Sequence, residues 1–157
     1  MDRRADAWLQ PLADLVAQRQ HRGGILLAMP EYRPDLARAV ANDMGYAFFD
    51  VRADILMPLG WEAAKVTVED LTAALAERAR GTGVVAHNVE ALLATKEKAV
   101  RQGWFERFLG YHWLHPVIVP LFLFIQEAPA NSPHLLHLAA DDLPAETLLG
   151  QLRFWGG

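Results

Sequence analysis

The sequence contains no cysteine among its 157 residues, which excludes disulfide scaffolds, thiol catalysis, and thiolate zinc or iron–sulfur sites. It has no excess of basic residues either. Fifteen Lys and Arg against 19 Asp and Glu give a net charge of −4, which disfavours direct binding of nucleic acid. The longest apolar run, residues 117–125, is too short to span a membrane, and the first residues lack the apolar region of a signal peptide. With 52% hydrophobic and 22% charged residues, we expect a soluble, cytoplasmic globular protein.

Short apolar runs alternate with amphipathic stretches along the chain. The apolar runs predict five strands, at residues 24–29, 46–51, 84–88, 116–125 and 134–138. The amphipathic stretches predict helices, at residues 6–20, 35–44, 67–80, 89–109 and 143–155. Continuously apolar strands that alternate with helices are typical of a parallel sheet covered on both faces. We therefore predict a single α/β domain over residues 1–157, with three layers and a mostly parallel sheet of about five strands; residues 1–22 would form an N-terminal helix and residues 24–155 the α/β core.

Two helix starts are marked by their residue types. Asp35 is a residue that commonly caps a helix, and Thr67 followed by Asp70 three positions later has the form of a capping box. A looser stretch over residues 52–68 contains Pro58, Gly60 and Trp61, and no regular element is predicted in it ahead of the helix that Thr67 opens.

The loop after the first predicted strand is where a parallel sheet would hold a ligand. A phosphate-binding loop there has the form G-x-x-x-x-G-K-[ST]. The flanks of this loop, an apolar strand before it and a helix that opens L-A-R-A after it, resemble an AAA-type P-loop ATPase. The resemblance puts Arg33 at the lysine position and Tyr32 at the glycine before it. Pro30 then stands at the first glycine of the turn, and Pro34 and Asp35 at the hydroxyl positions.

Each of these changes works against phosphate binding. Tyr32 would fill the space of a phosphate, the two prolines remove N–H donors, and Asp35 adds negative charge. No glycine stands between Gly24 and Gly45, where a phosphate loop needs backbone freedom. The resemblance therefore implies the outline of a P-loop without its chemistry.

The residues at the end of the third predicted strand also differ from those of a P-loop ATPase. In P-loop ATPases of this class it carries an Asp-Glu pair for magnesium and for polarising the attacking water. Asn88 stands at the Asp position, Val89 at the Glu position, and Glu90 one residue further on. Asn88 can hydrogen-bond a metal-bound water but brings no charge. The polar sensor expected after the fourth strand falls near Gln126.

In size and in the stretch H-N-V-E-A-L-L, the chain is also similar to the small P-loop proteins of BREX phage-exclusion operons. The resemblances imply a non-catalytic ATPase-like scaffold or adaptor subunit of a larger bacterial complex, in phage defence or DNA processing. Its partner would be protein, it would hold no cofactor and no metal, and homo-oligomerisation is left open. The alternative is an active ATPase with an atypical loop, in which Arg33 binds phosphate and Glu90 activates water. Unrelated α/β binding proteins form a third class.

Aromatic residues are dense in and after the long predicted helix. Trp104, Phe108 and Tyr111 recur at intervals of four and three, which places them on one helical stripe. Such a stripe is typical of core packing against a sheet, and the alternative is that some members anchor a partner. The residues considered for that second role are Trp8, Trp104, Tyr111 and Trp113. The histidine pairs 112/115 and 134/137 are interpreted as packed or surface residues rather than metal ligands.

Overall fold

The computed structural model describes residues 7–18 and 23–145. Five parallel strands form one sheet in the order β2-β3-β4-β1-β5. The strands are β1 (Ile25–Ala28), β2 (Ala47–Asp50), β3 (Val84–His87), β4 (Val117–Leu121) and β5 (Leu135–His137). The predicted three-layer α/β fold with a parallel sheet is confirmed, since helices cover both faces of this sheet.

The α-helices are α1 (Gln10–Ala17), α2 (Pro34–Met44), α3 (Met57–Leu59), α4 (Val68–Arg78), α5 (Val89–Leu93) and α6 (Lys98–Gly110). Short 3-10 segments occur at Ala7–Leu9, Gly60–Lys65, Ile125–Glu127 and Ala140–Asp142, and a π-helical turn at Arg52–Leu56. Within the described ranges, no helix has the length and apolar character needed to cross a membrane.

Alternating side chains of the central strands feed two hydrophobic clusters, one on each face of the sheet. On one face, Ile25 and Leu27 pack with side chains of α1 and α2, including Leu12 and Val40. On the other face, Leu26 lies in a larger cluster with side chains of α4 and α6, among them Leu71, Leu75, Trp104, Phe105 and Phe108. The reversal in strand order explains the division, because the β1–β2 crossover runs opposite to the later ones and right-handed crossovers then lie on opposite faces.

Helix α4 begins as predicted, whereas the N-cap of α2 lies two residues before the predicted one. The Asp70 backbone N–H donates to Thr67 Oγ1 (3.0 Å) and the Thr67 N–H to Asp70 Oδ2 (2.9 Å), so the capping box is complete. The prediction that Asp35 caps α2 is wrong. Arg33 occupies the N-cap position and Pro34 the first helical position, where its fixed φ suits the helix and its missing N–H costs nothing.

The predicted long helix over residues 89–109 is wrong, because it is two helices. The chain leaves α5 after Leu93, where the Thr95 hydroxyl donates to the Leu92 carbonyl (2.7 Å) and the Lys96 N–H bonds only three residues back, to Leu93 (3.0 Å). Side-chain bonds of this kind compete with helical ones and end the segment.

Three other boundaries differ from expectation. The unassigned stretch before Thr67 is almost entirely helical, over residues 52–65, as consecutive π, α and 3-10 turns. The fourth strand stops at Leu121 instead of residue 125, and Phe124 then adopts a left-handed conformation with φ of 65°. Residues 143–145 are not helical, and the remainder of the predicted closing helix lies outside the described residues.

Candidate functional site

The loops that follow β1, β3 and β4 meet at the carboxyl edge of the sheet, where a nucleotide site would be expected. Four of the residues singled out from the sequence come together there: Tyr32, Arg33, Asn88 and Glu90. Pro30 is exposed in the same loop, and Pro34 and Asp35 lie in the first turn of α2.

Tyr32 lies across the end of β3. Its ring stacks on that of His87 with 5.4 Å between centroids and also contacts Phe122 at 5.2 Å. The Tyr32 hydroxyl donates to Asn88 Oδ1 (3.1 Å) and lies 3.2 Å from His87 Nε2. The hydroxyl has only one proton, which it donates to Asn88. We therefore assign the proton of the second contact to His87 Nε2, which donates to the Tyr32 oxygen. Burial lowers the pKa of His87, which favours the neutral ring that this arrangement uses.

Asn88 links the ends of β2 and β3. Its Nδ2 donates to Asp50 Oδ1 (3.0 Å), which also accepts the backbone N–H groups of Arg52 (3.0 Å) and Ala53 (3.2 Å). The Asn88 backbone is left-handed, with φ of 61°, a conformation that asparagine tolerates better than most residues. The side chain is therefore held by protein atoms on both its oxygen and its nitrogen.

The sheet is split at this edge between β3 and β4. Their pairing ends at Ile118, although β4 continues to Leu121. The Pro116 carbonyl accepts from Val84 N–H (2.9 Å), so the alternate positions 116, 118 and 120 of β4 face β3. Position 120 is proline and has no N–H to offer, so the ladder cannot extend there.

Glu90 occupies the space beside this split. Its carboxylate is buried and accepts the Phe122 backbone N–H at Oε2 (2.9 Å). Burial raises the pKa of Glu90, and hydrogen bonds from backbone groups that include Phe122 and Leu123 partly oppose this rise. Glu90 therefore serves as the partner of a strand end rather than as a solvated base.

Arg33 is bound by other groups of the protein at this edge. Its side chain is 4% exposed and binds Asp35 through two hydrogen bonds, Nε to Oδ1 (3.0 Å) and one terminal nitrogen to Oδ2 (2.9 Å). The same terminal nitrogen donates to the Pro144 carbonyl (2.8 Å), and the other lies 3.6 Å from Glu31 Oε1. The Arg33 cation is thus paired with Asp35 of the same helix, and its bond to the Pro144 carbonyl links the segment after β5 to α2.

These side chains leave almost no room at the carboxyl edge. The cavity between the β1 loop, His87, Glu90 and the end of β4 measures about 10 Å³. One buried water needs about 10–15 Å³, so a nucleotide phosphate does not fit in this conformation. Among the described residues, no group of three or more His, Asp or Glu is arranged to hold a metal ion.

The remaining candidates lie elsewhere. Gln126 is exposed on the 3-10 turn after β4, where the neighbouring Glu127 pairs with Arg101 (2.7 Å). Of the residues considered as partner anchors, Trp8, Trp104 and Trp113 are buried in the two hydrophobic clusters. Trp104 lies on the buried side of α6 with Phe105 and Phe108, and Trp113 packs beside Phe108 after that helix ends. Tyr111, by contrast, is 48% exposed.

The sequence pattern failed to identify the most exposed aromatic residue among the described ones. Trp61 is 99% exposed, and Met57 and Leu59 beside it are 65% and 43% exposed. Pro58 and Gly60 lie between them, and Gly60 adopts φ of 53° and ψ of −115°, a conformation open essentially to glycine alone. The sequence did contain one signal for this exposed patch. Met57, Leu59 and Trp61 are three large apolar residues in a segment whose pattern predicts no buried side.

No protein-family model matches the chain, and no curated protein matches it. Functional inference therefore depends on the geometry described above.

Proposed function

We propose that this chain is a non-catalytic ATPase-like scaffold or adaptor subunit of a larger bacterial complex. The observation that carries the proposal is the filled carboxyl edge, where about 10 Å³ of space remains between Tyr32, His87, Glu90 and the end of β4. A fold can be retained for its surfaces after its site is lost. The resemblance to small P-loop proteins of phage-exclusion operons suggests phage defence as the process.

The electrostatics of the edge favour this proposal over an active ATPase. The active alternative requires the Arg33 cation for phosphate and the Glu90 carboxylate for water. Arg33 is committed to Asp35 and to the Pro144 carbonyl, and Glu90 to the Phe122 N–H. Nucleotide binding would have to break the Arg33–Asp35 ion pair, at about 3 kcal/mol, and the hydrogen bond from Phe122 N–H to Glu90, at about 1–3 kcal/mol.

Thermal unfolding with and without MgATP tests the absence of nucleotide binding. A ligand at about one hundred times its Kd stabilises the folded state by about 2.7 kcal/mol, which shifts Tm by several degrees. We expect no shift for the wild-type protein. An upward shift that disappears in Arg33→Ala but persists in Arg38→Ala, an exposed arginine of the same helix, would support the ATPase instead.

The adaptor role is tested by co-purification from the native host. If Tyr32 only fills a vacant site, Tyr32→Gly should co-purify the same protein partners as the wild type. Loss of those partners in Tyr32→Gly, with folding unchanged by circular dichroism, would show instead that the β1 loop is the interface.

A further inference from the structure

The chain that follows β5 runs back to the start of α2. The ladder to β1 continues one residue beyond β5, where the Leu138 N–H donates to the Ala28 carbonyl (3.0 Å). Residues 139–142 are then exposed, and the 3-10 turn among them is closed by a hydrogen bond of 3.0 Å within the turn itself. We name residues 139–145 the strap. An exposed segment with local hydrogen bonds is the kind of region that opens at a low free-energy cost.

Two contacts hold the far end of the strap on the body of the protein. The Leu143 side chain is partly buried against the smaller of the two hydrophobic clusters, to which α1 and α2 contribute. The carbonyl of the next residue, Pro144, accepts a hydrogen bond from a terminal nitrogen of Arg33 (2.8 Å). One contact is apolar and the other is charge-assisted. Because the two residues are adjacent in the chain, loss of either contact weakens the other.

The strap covers the Arg33 guanidinium. The Arg33 side chain is only 4% exposed, although Glu31 beside it is 61% exposed. The nitrogen that donates to the Pro144 carbonyl also binds Asp35 (2.9 Å). Departure of the strap therefore uncovers the guanidinium without leaving its charge unpaired, and an unpaired charge is the costly outcome when one partner of a buried ion is removed.

We propose that the strap is a lid that opens and closes over Arg33 while the sheet and α2 stay folded. When the strap is closed, Leu143 and Pro144 seal the cation at the carboxyl edge. When it is open, the edge presents to solvent a guanidinium that is paired with Asp35. This opening does not require the edge to bind nucleotide, so the thermal shift with MgATP tests the proposed function and not the lid.

Chemical modification of arginine in the full chain tests the proposal. A dicarbonyl reagent selective for arginine reacts with accessible guanidinium groups, and peptide mass spectrometry gives the rate at each one. We expect Arg33 to react at least roughly tenfold faster in Leu143→Ala than in the wild type, because the truncation removes one of the two anchors. Arg80, whose side chain is 74% exposed, should react equally in both proteins and is the internal reference. An Arg33 rate that Leu143→Ala leaves unchanged overturns the proposal.

Leu109→Ala is the matched control. Leu109 is also partly buried, but it packs against the larger hydrophobic cluster on the other face of the sheet. This variant should therefore leave the Arg33 rate at its wild-type value. Equal acceleration of Arg33 in both variants would mean that general loosening of the fold exposes the cation, and the proposal would be wrong.

Hydrogen exchange of the wild-type protein gives a second test that needs no variant. After correction for intrinsic rates, the amides of Asp142 and Leu143 should exchange at least roughly a hundredfold faster than those of β1, because the strap opens without the sheet. Equal protection of the two segments overturns the proposal, since the strap then opens only when the whole protein unfolds.

Discussion

The carboxyl edge of the sheet differs from the α4–α6 groove in how the chain has used its own side chains. We use the name α4–α6 groove for the cavity between these two helices that Val68, Phe108, Tyr111 and Trp113 line. At the carboxyl edge, Tyr32, Arg33, Asn88 and Glu90 bond to other protein groups and leave about 10 Å³. In the groove, about 210 Å³ stays unfilled beside the exposed Tyr111, although Val68, Phe108 and Trp113 in its walls are buried core side chains. The place where topology predicts a ligand is closed, and the open space lies where the topology predicts only packed helices.

Hydrogen bonds between protein groups account for the closure of the carboxyl edge. Buried polar groups must be hydrogen-bonded, and here each charged or polar side chain finds its partner within the protein. Such a network resists opening because any ligand must replace existing bonds. In the groove, no comparable cost opposes an apolar ligand, since burial of apolar surface is itself favourable.

The largest expected effect comes from breaking the Arg33 pair. We predict that Arg33→Ala lowers the free energy of unfolding by about 3 kcal/mol. The substitution leaves Asp35 without its cationic partner and the Pro144 carbonyl without its hydrogen-bond donor. We take the lower end of the usual range because Asp35 is 25% exposed. Urea denaturation measures the change.

The control is an exposed ion pair at the end of α4, away from the carboxyl edge. Arg80 binds Glu77 at 3.2 Å, and both side chains are largely exposed, so Arg80→Ala should leave stability unchanged within error. Equal losses for Arg33→Ala and Arg80→Ala would contradict the contrast between a closed and an open region.

An intermediate effect is expected at Glu90. Glu90→Ala leaves the Phe122 N–H without its acceptor and should cost about 1–3 kcal/mol, whereas Glu90→Gln keeps an acceptor oxygen and should cost less. Chemical denaturation at one pH compares the two. A Gln variant as unstable as the Ala variant would show that the charge, rather than the hydrogen bond, holds the strand end.

The pH dependence of the same variant tests the burial of this carboxyl. Because burial raises the pKa of Glu90 above 4.5, the folded protein holds the proton more tightly than the unfolded chain. The contribution of Glu90 to stability is therefore full below pH 4.5 and is lost as the pH rises through the folded pKa. The stability of Glu90→Gln relative to wild type should increase over that window, and a constant difference would argue for a solvated Glu90.

The smallest expected changes in stability come from removing one tyrosine hydroxyl in each region. Tyr32→Phe removes the bond to Asn88 and should cost about 1 kcal/mol, while the ring stacking on His87 stays. Tyr111→Phe removes a hydroxyl at the open groove and should change stability by less than about 0.5 kcal/mol. Thermal unfolding of the pair at one pH gives both values, and a reversed order would mean that the carboxyl edge is the looser region.

Local sequence patterns predicted most of the fold. The apolar runs predicted all five strands, and Thr67 with Asp70 predicted the start of α4. The break between α5 and α6 was missed, because it depends on a hydroxyl that bonds back to the Leu92 carbonyl instead of on hydrophobic period. The lack of glycine between Gly24 and Gly45 already indicated that the loop after β1 is not a phosphate-binding loop.

The sequence by itself determined the alternation of strands and helices and the lack of glycine in the loop after β1, because both follow from residues close together in the chain. Only the tertiary structure decided which groups fill the carboxyl edge. Arg33 reaches Pro144 across 111 positions and Glu90 reaches Phe122 across 32. Tertiary packing also buried Trp104 and exposed Trp61, since whether an aromatic residue is core or surface depends on which distant elements pack over it.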